Sequence, residues 1–429
     1  MKIVLIAAFS NREIRDQLTF YGSSSLFKKI VGLFHLPPRV WEFKDCASWI
    51  PSIISEVEKQ KNIELHVIGP HIRLAHSVEE FELRGVYYHF FRSDWTSFLR
   101  ITKNYRIWKY LQNSGRVTKK LLNKIRPDAV ILSGAENPAA SVSILYADQY
   151  PRLCLCQTIY NNPERSEYHT PNRLTATLEK EIFFNLNYFG VYSGLHYRLL
   201  REFRPDATIF KYGYPSKGRL LVPDRSIEKQ YDFVNFALKH GLRKGTQDSI
   251  QALAIVKQEF PKVTLNIVGG VDPKEKTEME CLVHELRLEE NVFFTPFFEQ
   301  KADLLHHIQK SRFAVLPCKL DHTAGTMAQS MQLGLPLVVY KTTGTPSFNK
   351  TKQCVLLAEK SNIDELAHCM LSLMKNADLA KSLSDNALKY QENRVAAAKE
   401  NGPRLIKIFC AMAETKIPVD LIYNPENDD

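Results

Sequence analysis

The stretch Leu316–Val339 reads LPCKLDHTAGTMAQSMQLGLPLVV, and its reading decides the fold. The apolar lead-in, Arg312 to Pro317, predicts a buried strand. A polar loop, Cys318 to Gly325, follows, then a short helix from about Thr326 to Leu333. Gly334 stands where a helix end favours a residue free to take positive φ. Beyond Pro336 a second strand runs from Leu337 to Tyr340. Strand, loop, helix, Gly-x-Pro, strand is a βαβ unit. The loop after its first strand lies at the carboxyl edge of a parallel sheet. The helix N-terminus there presents free N–H groups and a positive dipole end, which suits a diphosphate. A structural crossover with no ligand has the same pattern, so this stretch alone leaves both readings open.

Outward from it, the same alternation fills the second half. Strands are predicted at Phe233–Ala237, Val263–Val268, Val292–Phe294 and Val355–Leu357. Helices are predicted at Gly245–Glu259, Glu275–Leu286, Lys301–Lys310 and Ile363–Lys375, with a helical tail to about Thr415. The first half repeats the plan, with strands at Lys2–Phe9, Ile63–Ile68, Val86–Phe91, Pro127–Leu132, Leu153–Cys156, Phe189–Tyr192 and Thr208–Lys211. An amphipathic helix is predicted over Asp45–Lys59, with Trp49, Ile53, Ile54 and Val57 on one face, and another helix from about Ala139. Apolar strands alternating with helices predict doubly wound α/β domains. Turn formers between Gly213 and Asp224 mark a linker. The expected division is a first domain 1–212, a linker 213–228, a second domain 229–390 and a helical tail 391–429.

The second half resembles the retaining nucleotide-sugar glycosyltransferases of the GT-B fold, the large bacterial group 1 type. In that family a Glu, seven residues and a second Glu precede a small-Met-x-x-Gly-x-Pro run. Asp321 and Gln329 hold the two acid positions, and Met331, Gly334 and Pro336 match the tail. The resemblance implies that Asp321 binds the sugar on a shorter arm. It implies that Gln329, neutral but still able to hydrogen-bond, holds the ribose. His322, Ala324, Gly325 and Thr326 then line the donor loop. The family also ends a strand in Arg and opens the next helix with Lys-Gly; here Lys239 stands at the Arg spacing and Lys244-Gly245 is the pair. Two cations at a helix N-terminus neutralise the charge that grows on a leaving diphosphate. A solvated basic loop gives the same cluster of Lys239, His240, Arg243 and Lys244. Gly269-Gly270 matches the turn that lets the family's backbone approach the nucleotide, and Phe297 falls in the segment that lines its base pocket.

Departures from the family accompany these matches. Ser347 replaces the Glu of its Gly-x-Pro-Glu segment, and Gln157 replaces the His at the end of the Leu153–Cys156 strand. Gln157 can hydrogen-bond a sugar hydroxyl but is no base. The departing phosphate oxygen can instead accept the acceptor's proton. Lys239, Lys244, Asp321 and Gln157 form the expected catalytic set. Ser10, Asn11, Glu136 and Asn137, at strand ends of the first domain, form the expected acceptor set, although a surface acid explains Glu136 as well. The resemblance implies two Rossmann-like domains facing across a cleft, a helical tail that crosses back to the first domain, a nucleotide-sugar donor, a glycan or lipid-linked acceptor, and no metal or other cofactor. Its commonest setting is bacterial surface-polysaccharide synthesis. The altered acids leave a second reading, a degenerate GT-B protein that binds a glycan or partners an active transferase.

The bulk numbers fit this frame. The chain has 429 residues, 44% hydrophobic and 24% charged, the composition of a globular protein of two domains. The eight cysteines form no CxxC pair and no zinc-type cluster, which fits reduced thiols in a cytoplasmic protein. His306 and His307, adjacent on a helix, point apart and make no metal pair. The net charge of +10 calls for an anionic partner. Phe98–Arg126 carries nine Lys and Arg, no acid, and interleaved Phe98, Tyr105 and Trp108. That is the pattern of a helix on an anionic membrane surface, on the inner face of the membrane. A solvated basic face over buried aromatics reads alike. Nucleic acid fits the charge, but no recognition motif accompanies it, so it is not expected as a partner.

Overall fold

The computed structural model describes residues 1–20, 45–47, 49–71, 73–93, 108–163, 173–215, 220–320 and 325–425. Asp321, His322 and Ala324 lie outside them, as does the aromatic-rich start of the basic segment, 98–107. The chain divides into two compact units, one of Met1–Lys217 with Ala398–Asp428 and one of Gly218–Ala397.

In the first unit the strands are β1 (Lys2–Ile6), β2 (Glu64–His71), β3 (Val78–Leu83), β4 (Val86–Arg92), β5 (Ala129–Ser133), β6 (Arg152–Leu155), β7 (Tyr188–Val191) and β8 (Thr208–Lys211). They form one sheet in the order β3-β4-β2-β1-β5-β6-β7-β8. All neighbours are parallel except β3, which pairs antiparallel with β4. Central strands covered on both faces must be apolar throughout, and β1 and β5 are buried along almost their whole length. β3 escaped the sequence reading because VEEFEL alternates polar and apolar residues on an edge and looks like a loop. The first helix also differs from expectation. Ala47 sits at φ 53°, and the helix begins at Ile50, with Pro51 in its first turn where no N–H is needed.

The second unit holds β9 (Tyr231–Lys239), β10 (Leu265–Gly270), β11 (Val292–Thr295), β12 (Ser311–Leu316), β13 (Leu337–Lys341) and β14 (Leu356–Glu359). The sheet is parallel throughout, in the order β11-β10-β9-β12-β13-β14. Counted from β9 this is 3-2-1-4-5-6, the order of the dinucleotide-binding fold. Both units are thus the doubly wound α/β domains that the sequence predicts. The βαβ element stands as read: β12, a helix Gly325–Gln332, Gly334 at φ 65°, then β13.

The tail splits in two. The helix Ala377–Ala398 packs Ala380 and Leu383 into the second unit's core. The helix Asn401–Glu414 instead buries Leu405, Ile408, Phe409 and Met412 among Ile3, Leu5, Ile53 and Leu65 of the first. Arg404 anchors it, donating from Nε to the Lys211 carbonyl at 2.7 Å and from Nη2 to the Leu421 carbonyl at 3.2 Å. Tyr423 then donates its backbone N–H to Ile209 at 2.7 Å, covering the β8 edge, which would otherwise offer unpaired backbone groups. Among the described residues no helix is long and apolar enough to cross a membrane.

Phe409 is fully buried, so Phe409→Ala should leave a cavity. We expect a loss of about 3–5 kcal/mol, read as a lower urea midpoint for the first unit with the second unit's transition unmoved.

Candidate functional site

In a sheet of this order, ligands sit outside the carboxyl ends of the strands, where the winding reverses. In the second unit that point lies between β9 and β12, which pair with Phe313 opposite Phe233. Two loops leave it, Lys239–Gly245 after β9 and Pro317–Leu320 after β12. They are joined directly, since the Lys319 N–H donates to the Arg243 carbonyl at 2.9 Å. Gly245 has φ 64° and ψ 26°, and a Cβ there would stand 2.1 Å from the Pro317 carbonyl oxygen. Glycine is therefore required both by conformation and by the close passage of the second loop. From it starts the helix Thr246–Glu259, whose first N–H groups open at the switch point beside Lys244.

His240 does not belong to a solvated basic face. Its ring is buried, with Nε2 3.0 Å from the Val268 carbonyl and Nδ1 2.9 Å from the Thr246 hydroxyl. A carbonyl only accepts, so Nε2 carries the proton and Nδ1 accepts from Thr246. Burial holds its pKa below the usual histidine value, and the Lys244 charge pushes the same way. The neutral ring ties the β9 loop to the end of β10. At that end Gly269, φ 136°, leaves room for the Ala237 carbonyl, which a Cβ would approach to 1.9 Å. Strand packing alone therefore accounts for Gly269.

A charged pair lies beneath the loops. Lys319 Nζ stands 2.9 Å from Asp248 Oδ2, both side chains about one-tenth exposed. The Tyr340 hydroxyl, from β13, donates to the same oxygen at 2.8 Å. The sequence reading missed His240, Asp248, Lys319 and Tyr340, because their partners are 6 to 92 residues away.

The other expected donor residues follow carboxyl ends of the same sheet. Lys244 opens the helix. Lys239 ends β9 but leans toward acids: Nζ is 3.7 Å from Asp272, in a surface hollow also lined by Lys274, Glu275 and Glu278. Gly270 ends β10, with its carbonyl accepting from the His240 N–H. Phe297 lies just past β11 and is half exposed, a large apolar ring outside the core. Gly325, Thr326 and Gln329 lie on the helix after β12; Gly325 is exposed, and Thr326 and Gln329 are half-buried. Ser347 bonds the Gly344 carbonyl at 2.5 Å and serves its own turn.

In the first unit the expected acceptor residues divide. Ser10 is buried and accepts from Arg15 Nη1 at 3.1 Å, and the Asn11 side chain caps its helix by accepting from the Ile14 N–H at 2.9 Å. Glu136 follows β5 and folds back over Gly134, where a Cβ would meet its Oε1 at 2.4 Å. Asn137 is exposed beside it, and Gln157 is half-buried after β6. Near them the Tyr212 hydroxyl lies 3.3 Å from the Cys156 carbonyl, which can only accept, and 3.0 Å from the Tyr214 hydroxyl. Burial raises the Tyr214 phenol, and the negative charge of Glu136 adds to this. The loop after β6 is held by the buried Glu179, which accepts from the N–H groups of Tyr160 and Asn161 at 2.7 and 2.8 Å.

Residues 224–390 match the family described as Glycosyl transferases group 1. The match falls within the second unit. The chain is similar to the poly(glycerol-phosphate) alpha-glucosyltransferase of Bacillus subtilis, 23% identical over 145 residues. That match covers 34% of this chain and 21% of the relative, so the chain spans about a fifth of its length. Among solved structures, sucrose-phosphate synthase from Thermosynechococcus elongatus superposes with a TM-score of 0.64 at 15% identity, covering 96% of this chain and all of that one. Anabaena HepE in complex with UDP gives a TM-score of 0.61 at 12% identity, with 95% and 100% covered. At such identities the likeness shows the fold, which is GT-B with two Rossmann-like domains. Among the described residues no three His, Cys, Asp or Glu are grouped to hold a metal.

His240 sets a pH dependence. Its folded pKa lies below the unfolded value, so the unfolded chain binds more protons and acid favours unfolding. The contribution is complete above about pH 6.5 and is lost as the pH falls toward the folded value. Urea midpoints should drop on acidification below about pH 6.5 in the wild type. They should drop less steeply in His240→Asn, which is less stable at neutral pH.

Proposed function

We propose that the protein is a retaining glycosyltransferase that moves a sugar from a UDP- or GDP-linked donor to a hydroxyl of a glycan or lipid-linked glycan. The observation that carries this is the switch point of the family domain. There two loops bound to each other bring Lys244 to the N-terminus of a 14-residue helix. Lys244 and the helix N–H groups hold the diphosphate, and their field strengthens as the glycosidic bond breaks and charge moves onto phosphate. These cations and dipoles supply the positive charge that a divalent ion supplies elsewhere, so the reaction is metal-independent. Phe297 stacks on the base, and Gln329 bonds the ribose. Asp321, Gly325 and Thr326 address the sugar and phosphate. The departing phosphate oxygen takes the acceptor's proton on the face from which it leaves, so Gln157 need only orient a hydroxyl.

A second reading, a degenerate GT-B protein that binds a glycan, is favoured by the neutral Gln157 and by Ser347, which is occupied within its own turn. The chain's cationic helix, Trp108–Ile125, supports a place on the inner face of the cell membrane, in surface-polysaccharide synthesis. Its apolar face, Leu121, Leu122 and Ile125, is spent in the core. Arg116, Lys119 and Lys120 remain exposed, and Lys124 is bonded to Glu80 at 2.8 Å. The membrane contact we propose is thus electrostatic, without insertion of residues 113–125.

Melting scans with UDP, GDP, ADP and their sugars test the donor reading. A ligand at a hundred times its dissociation constant stabilises by about 2.7 kcal/mol. One nucleotide should raise the midpoint of the wild type and fail to do so in Lys244→Ala. No shift from any nucleotide in the wild type would bring the glycan-binding reading forward.

A further inference from the structure

We propose that Asp248, Lys319 and Tyr340 form a clamp that positions the diphosphate-holding loops of the glycosyltransferase domain. The proposal rests on the nucleotide-sugar reading above. Lys319 reaches in two directions. Its backbone N–H holds the Arg243 carbonyl at 2.9 Å, fixing the loop that carries Lys244. Its ammonium holds Asp248 at 2.9 Å in the first turn of the helix Thr246–Glu259. Tyr340, fully buried on β13, locks the other side of the same carboxylate. The helix after β9, the loop after β12 and strand β13 are thereby joined at one oxygen atom.

The pair has an electrostatic consequence. An acid in the first turn of a helix competes with any anion that approaches the same N-terminus. Lys319 cancels the Asp248 charge and leaves the helix end open to phosphate. Its own charge is spent on Asp248, so Lys319 is a positioning residue and no ligand of the donor. Removing Lys319 uncovers a negative charge next to the anion site. The penalty must then grow with the charge of the ligand, which a merely structural lysine would not produce.

The test compares Lys319→Met, Asp248→Asn, the double variant and Tyr340→Phe with the wild type. Titration calorimetry would use the nucleoside diphosphate that shifts the wild type and its monophosphate. Lys319→Met should weaken the diphosphate about tenfold, a usual size for coupling between neighbouring groups, and the monophosphate clearly less. The double variant, with no charge left to uncover, should recover part of the loss. Tyr340→Phe should lose less, in the same direction. If Lys319→Met is too unstable to titrate, the double variant and Tyr340→Phe carry the test. Equal losses for both ligands, or a diphosphate affinity unchanged in every variant, would overturn the clamp. A wild type that binds no nucleoside diphosphate defeats the donor reading itself, and the clamp with it.

Discussion

The second unit depends on the side-by-side pairing of β9 with β12. These strands are adjacent in space but some 70 residues apart in sequence, and their chains wind away to opposite sides of the sheet. At such a reversal the loops that leave the two strands border one crevice. Gly245 lets them touch, and the Lys319–Arg243 backbone bond holds them. A side chain at position 245 would push the Pro317 loop away and separate the parts of the site.

Charge at this crevice is arranged by pairing rather than by number. The sequence puts several basic residues in the two loops, but the fold sorts them. Lys239 is drawn toward Asp272, Lys319 is matched to Asp248, and His240 is kept neutral by burial between a carbonyl and a hydroxyl. Lys244 stands beside the N-terminus of the helix Thr246–Glu259, the end that favours an anion. Low solvent exposure makes the Lys319–Asp248 pairing the more consequential one, because little water screens it.

The first unit uses its polar residues differently. Ser10 and Asn11, at the end of β1, hold the turn that follows, and Glu179 holds the loop after β6. Glu136 and Gln157 stay near the carboxyl edge beside a group of buried tyrosines. The unit is completed by residues from the far end of the chain. Without the helix Asn401–Glu414, the apolar face of β1 and of the helix Ile50–Glu58 would be bare.

The sequence by itself determined the α/β class, the two-unit plan and most strands. Buried parallel strands must be continuously apolar, and helices show their period within a dozen residues. The Gly-x-Pro tail and the Lys-Gly pair also marked the two helices that follow β12 and β9, since a positive φ and a helix start are local demands. The polar edge strand β3 was hidden, because half its residues face solvent. The tail's attachment to the first unit was suggested only by the family resemblance, because an apolar helix face does not name its partner. Only the tertiary structure decided which lysine is neutralised, which histidine is buried, and that Asp248, Lys319 and Tyr340 meet. Those outcomes depend on burial and on partners up to 92 residues away, and neither quantity exists along the chain.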